Sequence, residues 1–317
     1  MEMNKSVNIY GCGGFGINIV NLLNDQPKTG ARFNSYLIDT STSNLRIGQS
    51  HENFYGIPGC DGSGKNPALN YQAIQKYIPN VLDKFPASEI NLVVASLSGG
   101  SGNVITAELA DNLWRDDKEV IFYLIGSRED LTATNNTRNL LASLRNKGRA
   151  AGKCPVIYYD DNLDATQDDI VDKDMVTSIS AFLELYSGNH SRLDSTDIRN
   201  WMNPKVESQI LLLDIAVTYE RAIEVESPLS VATVYDSEQM RTKAIPAMRT
   251  CEGIRNNPCG HNLYLIISGS GLDRIVDGLS STITDYKQKL ANANNAAGHK
   301  GLDKLAAKTA SGMVFDD

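Results

Sequence analysis

What most restricts the fold is a series of short apolar runs set between stretches long enough for helices. Val7–Tyr10, Ser35–Ile38, Asn91–Leu97, Glu119–Ile125 and Pro155–Tyr159 are rich in β-branched residues and mostly apolar throughout. A strand with one wet face alternates apolar and polar residues, whereas a strand buried on both faces does not. The succession of strand and helix therefore predicts a doubly wound, mostly parallel α/β sheet. A long helical pattern follows from about Asp169 to Ser187, with Val171, Met175, Ile179, Phe182, Leu183 and Tyr186 spaced by three or four. Gly188-Asn189 reads as its stop. Beyond it, strand-like runs at Leu229–Tyr235 and Leu263–Ser268 and a helical stretch at Glu207–Arg221 predict a smaller α+β domain. A final helix is expected from about Leu272 to Ala291, and the residues from Asn292 onward read as a polar tail.

Composition narrows the function classes. The net charge of the 317 residues is -8, from 30 basic and 38 acidic side chains. Duplex-DNA binders carry a basic face, so no direct nucleic-acid contact is expected. The chain lacks the run of about 18 apolar residues that a membrane helix needs. Met1-Glu2-Met3-Asn4-Lys5 has no signal-peptide core. Five cysteines (Cys12, Cys60, Cys154, Cys251, Cys259) are scattered without a CxxC pair, as in a reducing cytoplasm.

Three glycine-rich segments carry the chemistry. Gly11-Cys12-Gly13-Gly14-Phe15-Gly16-Ile17-Asn18 lies between the first strand and a helical run. Glycines let the backbone approach a ligand, and a helix start offers unpaired N–H groups that suit phosphate. Gly11, Gly13 and Gly16 also fit the dinucleotide fingerprint, with Asp39 placed like a ribose-binding acid. Alone, that loop would support a Rossmann-type NAD-dependent oxidoreductase. The same strand, glycine loop and helix recur at Ser98-Gly99-Gly100-Ser101-Gly102-Asn103. In a doubly wound sheet the two loops flank the switch point, and two cradles suit a nucleoside triphosphate better than a dinucleotide. The third segment, Gly59 to Pro67, nearly matches a P-loop, but Asn66 stands where a hydroxyl should hold Mg²⁺ and His51–Pro58 is polar. It reads as a loop closing over terminal phosphates through the N–H groups of Gly62, Ser63 and Gly64.

The order GxGGxGxN, GSGKNP and SGGSGN resembles the tubulin/FtsZ superfamily of filament-forming GTPases. Arg192-Leu193-Asp194-Ser195-Thr196-Asp197-Ile198 resembles that family's synergy loop, and Asn189 to Asp194 with Gly312-Met313-Val314 look most like the bacteriophage tubulins of the PhuZ group. The resemblance spans nearly the whole chain. It implies a GTP-binding domain over 1–168, a central helix over 169–188, and an activation domain over 189–270 with its catalytic loop at 192–198. A C-terminal helix over 271–291 and a tail over 292–317 would follow.

Carried over, GTP or GDP with Mg²⁺ would be held by Gly11, Cys12, Gly13, Gly14, Gly16, Asp39 and the 98–103 loop: Ser98, Gly99, Gly100, Ser101, Gly102, Asn103. Gly62, Ser63, Gly64 and Lys65 would sense the γ-phosphate. Asn18 and Asp172 would meet the guanine, and Asn136 resembles a further nucleotide residue. No direct protein ligand to Mg²⁺ is expected. Asp39-Thr40-Ser41 departs from the Asn-Thr-Asp of FtsZ proteins, and Arg192 replaces the first asparagine of the synergy loop.

Asp194 and Asp197 would be catalytic. If a helix starts there, they share a face, but the central helix alone carries the chain about 27 Å at about 1.5 Å per residue. They would reach the next subunit's nucleotide rather than their own, in a head-to-tail contact that does not close. The implied partners are further copies of the chain, with the tail gripping the neighbour. The implied setting is the cytoplasm of an infected bacterium, where filaments position phage DNA.

Overall fold

The computed structural model describes residues 6–27, 32–162, 168–187, 190–204, 206, 210–216, 220, 222, 228–237, 245–255 and 262–296. Gly188-Asn189, Cys259 and everything from residue 297 onward, Gly312-Met313-Val314 included, lie outside these. The chain runs β1(Ser6–Cys12), α1(Gly13–Asn24), β2(Arg32–Asp39), β3(Phe54–Gly56), α2(Tyr71–Lys84), β4(Ile90–Ser96), α3(Ser101–Arg115), β5(Glu119–Ser127), α4(Leu131–Ala151) and β6(Val156–Asn162). It continues through α5(Asp168–Tyr186), β7(His190–Ser191), α6(Ser195–Met202), β8(Leu211–Ala216), β9(Pro228–Tyr235), β10(Arg249–Arg255), β11(Asn262–Ile267) and α7(Ser270–Ala296).

The strands form one sheet in the order β3-β2-β1-β4-β5-β6-β8-β11-β9-β10-β7. From β3 to β6 all pairs are parallel. The order turns back between β1 and β4, which makes their C-terminal ends the switch point. Continuous apolar strands follow from burial on both faces. Val7, Ile9, Leu92, Val94, Ile121 and Tyr123 pack with α1, α5 and α6. Tyr10, Cys12, Val93, Ala95, Phe122 and Leu124 pack with α2, α3, α4 and α7. The stripe expected on α5 is buried, with Met175, Ile179 and Phe182 at 0% exposure. Each such side chain stabilises by about 1.5 to 3 kcal/mol relative to exposure.

The second half joins the same sheet. β6 and β8 pair in parallel through only Val156↔Leu211 and Ile157↔Leu212. β8 and β9 flank β11 in antiparallel fashion, β10 lies parallel to β9, and β7 closes the edge.

Three expectations are corrected. Within the helical stretch expected over Glu207–Arg221, the described residues Leu211–Ala216 form strand β8 instead. Its apolar run fits either period, and pairing with β6 and β11 decides for the strand. A short strand, β3, does precede the third glycine segment and buries Phe54. The last helix continues to Ala296, so Asn292 to Ala296 belong to α7. Among the described residues no helix is long and apolar enough to cross a membrane.

Candidate functional site

β1 passes directly into α1 and β4 almost directly into α3, so both helix starts stand at the switch point. Gly13 turns the first corner with a φ of +69°, and a Cβ there would lie 2.8 Å from the Gly102 Cα. The two loops therefore adjoin, backbone against backbone. Neither helix start is capped by its own side chain, since Cys12 and Gly100 supply no side-chain acceptor. Such a start has unpaired N–H groups and the positive end of the helix dipole.

A cavity of about 240 Å³ lies over this corner. It is lined by Cys12, Gly13, Gly14 and Phe15, by Asp39, Ser41, Ser43 and Asn44, by Gly62, Ser63 and Gly64, and by Ser96 and Gly99–Gly102. That is below the about 300 to 1,000 Å³ typical of a pocket for a whole ligand, and it suits a phosphate chain. Clefts of about 760 Å³ (against α4 and α7) and about 730 Å³ (among α2, α3 and α4) are larger. The second touches the first turns of α2 and α3, but neither cleft is lined by both glycine loops, and convergent backbone donors are the better mark of an anion site than volume.

Within the cavity Asp39 is buried and accepts from Thr40 N at 2.7 Å and Asn44 Nδ2 at 2.8 Å. Burial raises its pKa, against those hydrogen bonds. Ser63 leans over Gly100, and its hydroxyl accepts from Ser101 N at 2.8 Å. A serine oxygen thus takes the place an anion's oxygen would take at the start of α3.

The other expected residues fall into three groups. Gly11 and Gly16 pack against each other beneath the loop. Ser98, Asn103, Asn136 and Lys65 are not on the cavity wall but brace it. Asn136 Nδ2 donates to Lys65 O at 2.8 Å and Ser98 O at 3.0 Å, and Asn103 Nδ2 donates to Leu97 O at 2.8 Å. Lys65 turns to Glu129 and Asp130 at 3.0 and 3.1 Å, and hydrogen bonds to these two, Glu129 first, raise its pKa. Asn18 and Asp172 meet, Nδ2 to Oδ2 at 2.8 Å, beside the first turns of α1. The sequence reading missed Phe15, Ser41, Ser43, Asn44 and Ser96. Only the proximity of Asn44 to Asp39 in sequence could have signalled one of them.

Asp194 and Asp197 lie elsewhere. Asp194 is the N-cap of α6 rather than a residue within it, accepting from Thr196 N at 2.7 Å and Asp197 N at 2.9 Å. Asp197 Oδ2 accepts in return from Asp194 N at 3.1 Å. This capping box fixes both carboxylates, with Asp194 exposed and Asp197 half-buried. Seven inter-strand steps separate β4 from β7, the strand just before Asp194. At about 4.8 Å each, that is about 34 Å before twist.

The chain is 27% identical to a phage tubulin-like protein of Pseudomonas phage PhiPA3 over 295 residues, 90% of each chain. Its structure matches a protofilament of TubZ from bacteriophage PhiKZ with a TM-score of 0.83 at 23% identity, covering 98% of this chain and 99% of that one. The chain is thus similar to phage tubulin-like proteins in sequence and shares their fold. A phage tubulin PhuZ–GDP structure superposes on it with a TM-score of 0.82 at 20% identity, over 90% and 92% of the two chains. No family model matches the chain. The superposition on the PhiKZ protofilament subunit covers 98% of this chain, so the two share the fold as a whole.

Proposed function

We propose that this chain is a tubulin-like GTPase that polymerises head to tail and hydrolyses GTP at the junction between subunits. One observation carries the reading. Two helix starts without caps of their own converge on a cavity beside β1 and β4, while the aspartate pair, Asp194 exposed and Asp197 half-buried, follows β7 at the far edge, seven inter-strand steps or about 34 Å along the sheet before twist. A carboxylate so far off cannot serve its own cavity but can serve that of the next copy. The protofilament and the GDP complex among its structural relatives support both assembly and the guanine nucleotide.

In this reading the N–H groups of the 11–16 and 98–103 loops hold the phosphates. Asn18 and Asp172 meet the base, where a carboxylate can accept from both N1–H and the exocyclic amine of guanine. Triphosphate oxygens displace the Ser63 hydroxyl from Ser101 N. Mg²⁺ would arrive with the nucleotide and neutralise phosphate charge. The donors present, the Asp39 carboxylate with the Ser41 and Ser43 hydroxyls, suit a hydrated hard cation carried by phosphates. Asp194 and Asp197 of the adjoining subunit orient and polarise a water. Its oxygen bonds to the γ-phosphorus, the bond to the β-phosphate oxygen breaks, a water proton passes to the released phosphate, and the loop N–H groups stabilise the charge that develops. The tail would grip the neighbouring subunit. The setting would be the host bacterial cytoplasm, with filaments positioning phage DNA.

The test is phosphate release from GTP across protein concentrations, with electron microscopy of the same samples. The rate per molecule should rise above a threshold at which filaments appear. A rate per molecule that stays flat from dilute to concentrated protein sinks the shared site.

A further inference from the structure

On the reading above, turnover depends on where Asp194 and Asp197 are held, and their short loop does not determine that alone. Arg192 adopts a φ of 74°, a region unfavourable for a residue with a side chain, so its surroundings must enforce it. Those surroundings are largely one strand. We infer that β10 is the template that positions the aspartate pair, and that Arg255 is its anchor.

Alternate residues of a strand share a face, and in β10 Cys251, Gly253 and Arg255 do so. Each meets a different part of the segment from α5 to α6. The Cys251 thiol is pushed up to about 12, first by burial and then by the charge of Asp197 close by. At Gly253 a Cβ would come within 2.9 Å of Leu193 Cδ1 and 3.2 Å of His190 Nδ1. Leu193, buried at 7% exposure, immediately precedes Asp194. Ile254 and Arg255 pair with Ser191 and His190 of β7. His190 also bonds back to the end of the central helix, Nε2 to Leu185 O at 2.7 Å.

Arg255 ties this template to the rest of the molecule. Its guanidinium is 3% exposed, with Nε 2.8 Å from Glu184 Oε1 in the last turn of α5 and Nη1 3.2 Å from Asp236 Oδ1 just past β9. A planar fork can span carboxylates on two elements at once, which a lysine ammonium does less well. Removing it would leave two carboxylates facing each other across the joint. The end of α5, the start of the aspartate loop and β10 would then be free to shift together. Arg255 is thus a positioning residue, acting through Leu193 and β7 on Asp194, and it touches no reacting atom.

This inference rests on the proposed GTPase reading, and the experiment separates the two. In the full chain, Arg255→Met, Arg255→Lys and Gly253→Val are compared with wild type, alone and with Asp194→Ser. Phosphate release is measured above the assembly threshold, with monomer affinity for a fluorescent guanine nucleotide and amide exchange at Thr196 and Asp197. A misplacement of about 1 Å can cost about a hundredfold, so Arg255→Met should lower turnover by about 30- to 100-fold, with affinity changed by less than about twofold. Arg255→Lys should recover part of the loss. With Asp194→Ser present, Arg255→Met should lose nothing further. Exchange at Thr196 and Asp197 should quicken while that of β1 and β4 stays unchanged.

Full turnover in Arg255→Met overturns the inference. So does an equal further loss on top of Asp194→Ser, or a parallel loss of nucleotide affinity. Should Arg255→Met fail to fold, Gly253→Val, which changes neither Arg255 nor its carboxylate partners, is read by the same criteria. If the wild type releases no phosphate the GTPase reading fails, and amide exchange at Thr196 and Asp197 still decides the positioning.

Discussion

Helices α1 and α3 begin differently from α4 and α6. The starts of α4 and α6 carry their own carboxylates: Asp130 accepts from Ala133 N at 2.7 Å, and Asp194 accepts from Thr196 N and Asp197 N. The starts of α1 and α3 have no side-chain cap. A cap of this kind is worth about 1 kcal/mol, and the chain has 38 acidic residues to draw on. At α4 and α6 the helix dipole is answered within the chain. At α1 and α3 no side chain of the helix's own answers it, and at α3 the Ser63 hydroxyl covers part of the need. The α2 start also lacks a side-chain acceptor, but its Asn70 amide is engaged with Gly62 O beside the same cavity.

The most severe way to break this contrast is to give α3 a carboxylate of its own. Gly100→Asp would put a negative charge where phosphate is expected, and its Cβ would press on Ser63 and on the Asn66 backbone N, so the 63–66 loop must give way. Like charges brought together cost several kcal/mol, so guanine-nucleotide affinity should fall by about a hundredfold or more with the fold retained. Titration with a fluorescent nucleotide, alongside circular dichroism, measures both. Unchanged affinity would mean that the α3 start is not the anion site.

Asp194 tests the other half, because capping and turnover can be parted there. Serine is as good a cap as aspartate but carries no charge. Asp194→Ser should keep thermal stability and cut phosphate release by about a hundredfold, and Asp194→Ala should lose the cap's about 1 kcal/mol as well. Both should bind nucleotide like the wild type. If monomeric Asp194→Ser loses nucleotide affinity, the carboxylate works within its own subunit.

The smallest effects are in the pH dependence of stability, and they have opposite signs. The Asp130 pKa is lowered, chiefly by the Ala133 N–H. Its contribution is present above the unfolded value of 3.8 and is lost as pH falls through the lower folded value. Asp130→Asn should therefore soften acid denaturation. The Asp39 pKa is raised by burial, so its contribution is complete below 3.8 and is lost as pH rises through the higher folded value. In ligand-free protein, Asp39→Asn should remove a decline in melting temperature that begins near pH 3.8. Melting curves against pH for the two variants should diverge in opposite directions from wild type. Curves that move the same way would refute the assignment of the two carboxylates.

Much of this was legible in the sequence where local pattern and tertiary environment agree. β1, β4 and β5 are apolar throughout because both of their faces are covered, and that can be read without knowing the neighbours. The glycine corners at 11–16 and 98–103 are legible for a similar reason, since backbone approach demands glycine wherever it occurs. β10, written Arg249-Thr250-Cys251-Glu252-Gly253-Ile254-Arg255, has no such signature. Its partners β9 and β7, not its own pattern, make it a strand. β8 was misread because Leu211-Leu212-Leu213 suits a helix as well as a strand. Lys65 and Asn136 sit in motif positions, yet they brace the loops instead of lining the cavity. Motif spacing gives proximity, whereas side-chain direction depends on partners such as Glu129 and Ser98 that are distant in sequence.

The seam between the two halves of the sheet has a mechanical consequence. Two residue pairs join β6 to β8, where β5 and β6 share seven and β8 and β11 share five. A lattice yields first where it has fewest ties. Load pulling on the aspartate end while the cavity end is held would concentrate at Val156, Ile157, Leu211 and Leu212. A strand of such subunits would then flex inside each copy, at a spacing of one bend per molecule, rather than only at the joints between copies. Faster amide exchange at Ile157 and Leu212 than in β5 would mark the seam, and equal protection across it would make the subunit a stiff rod.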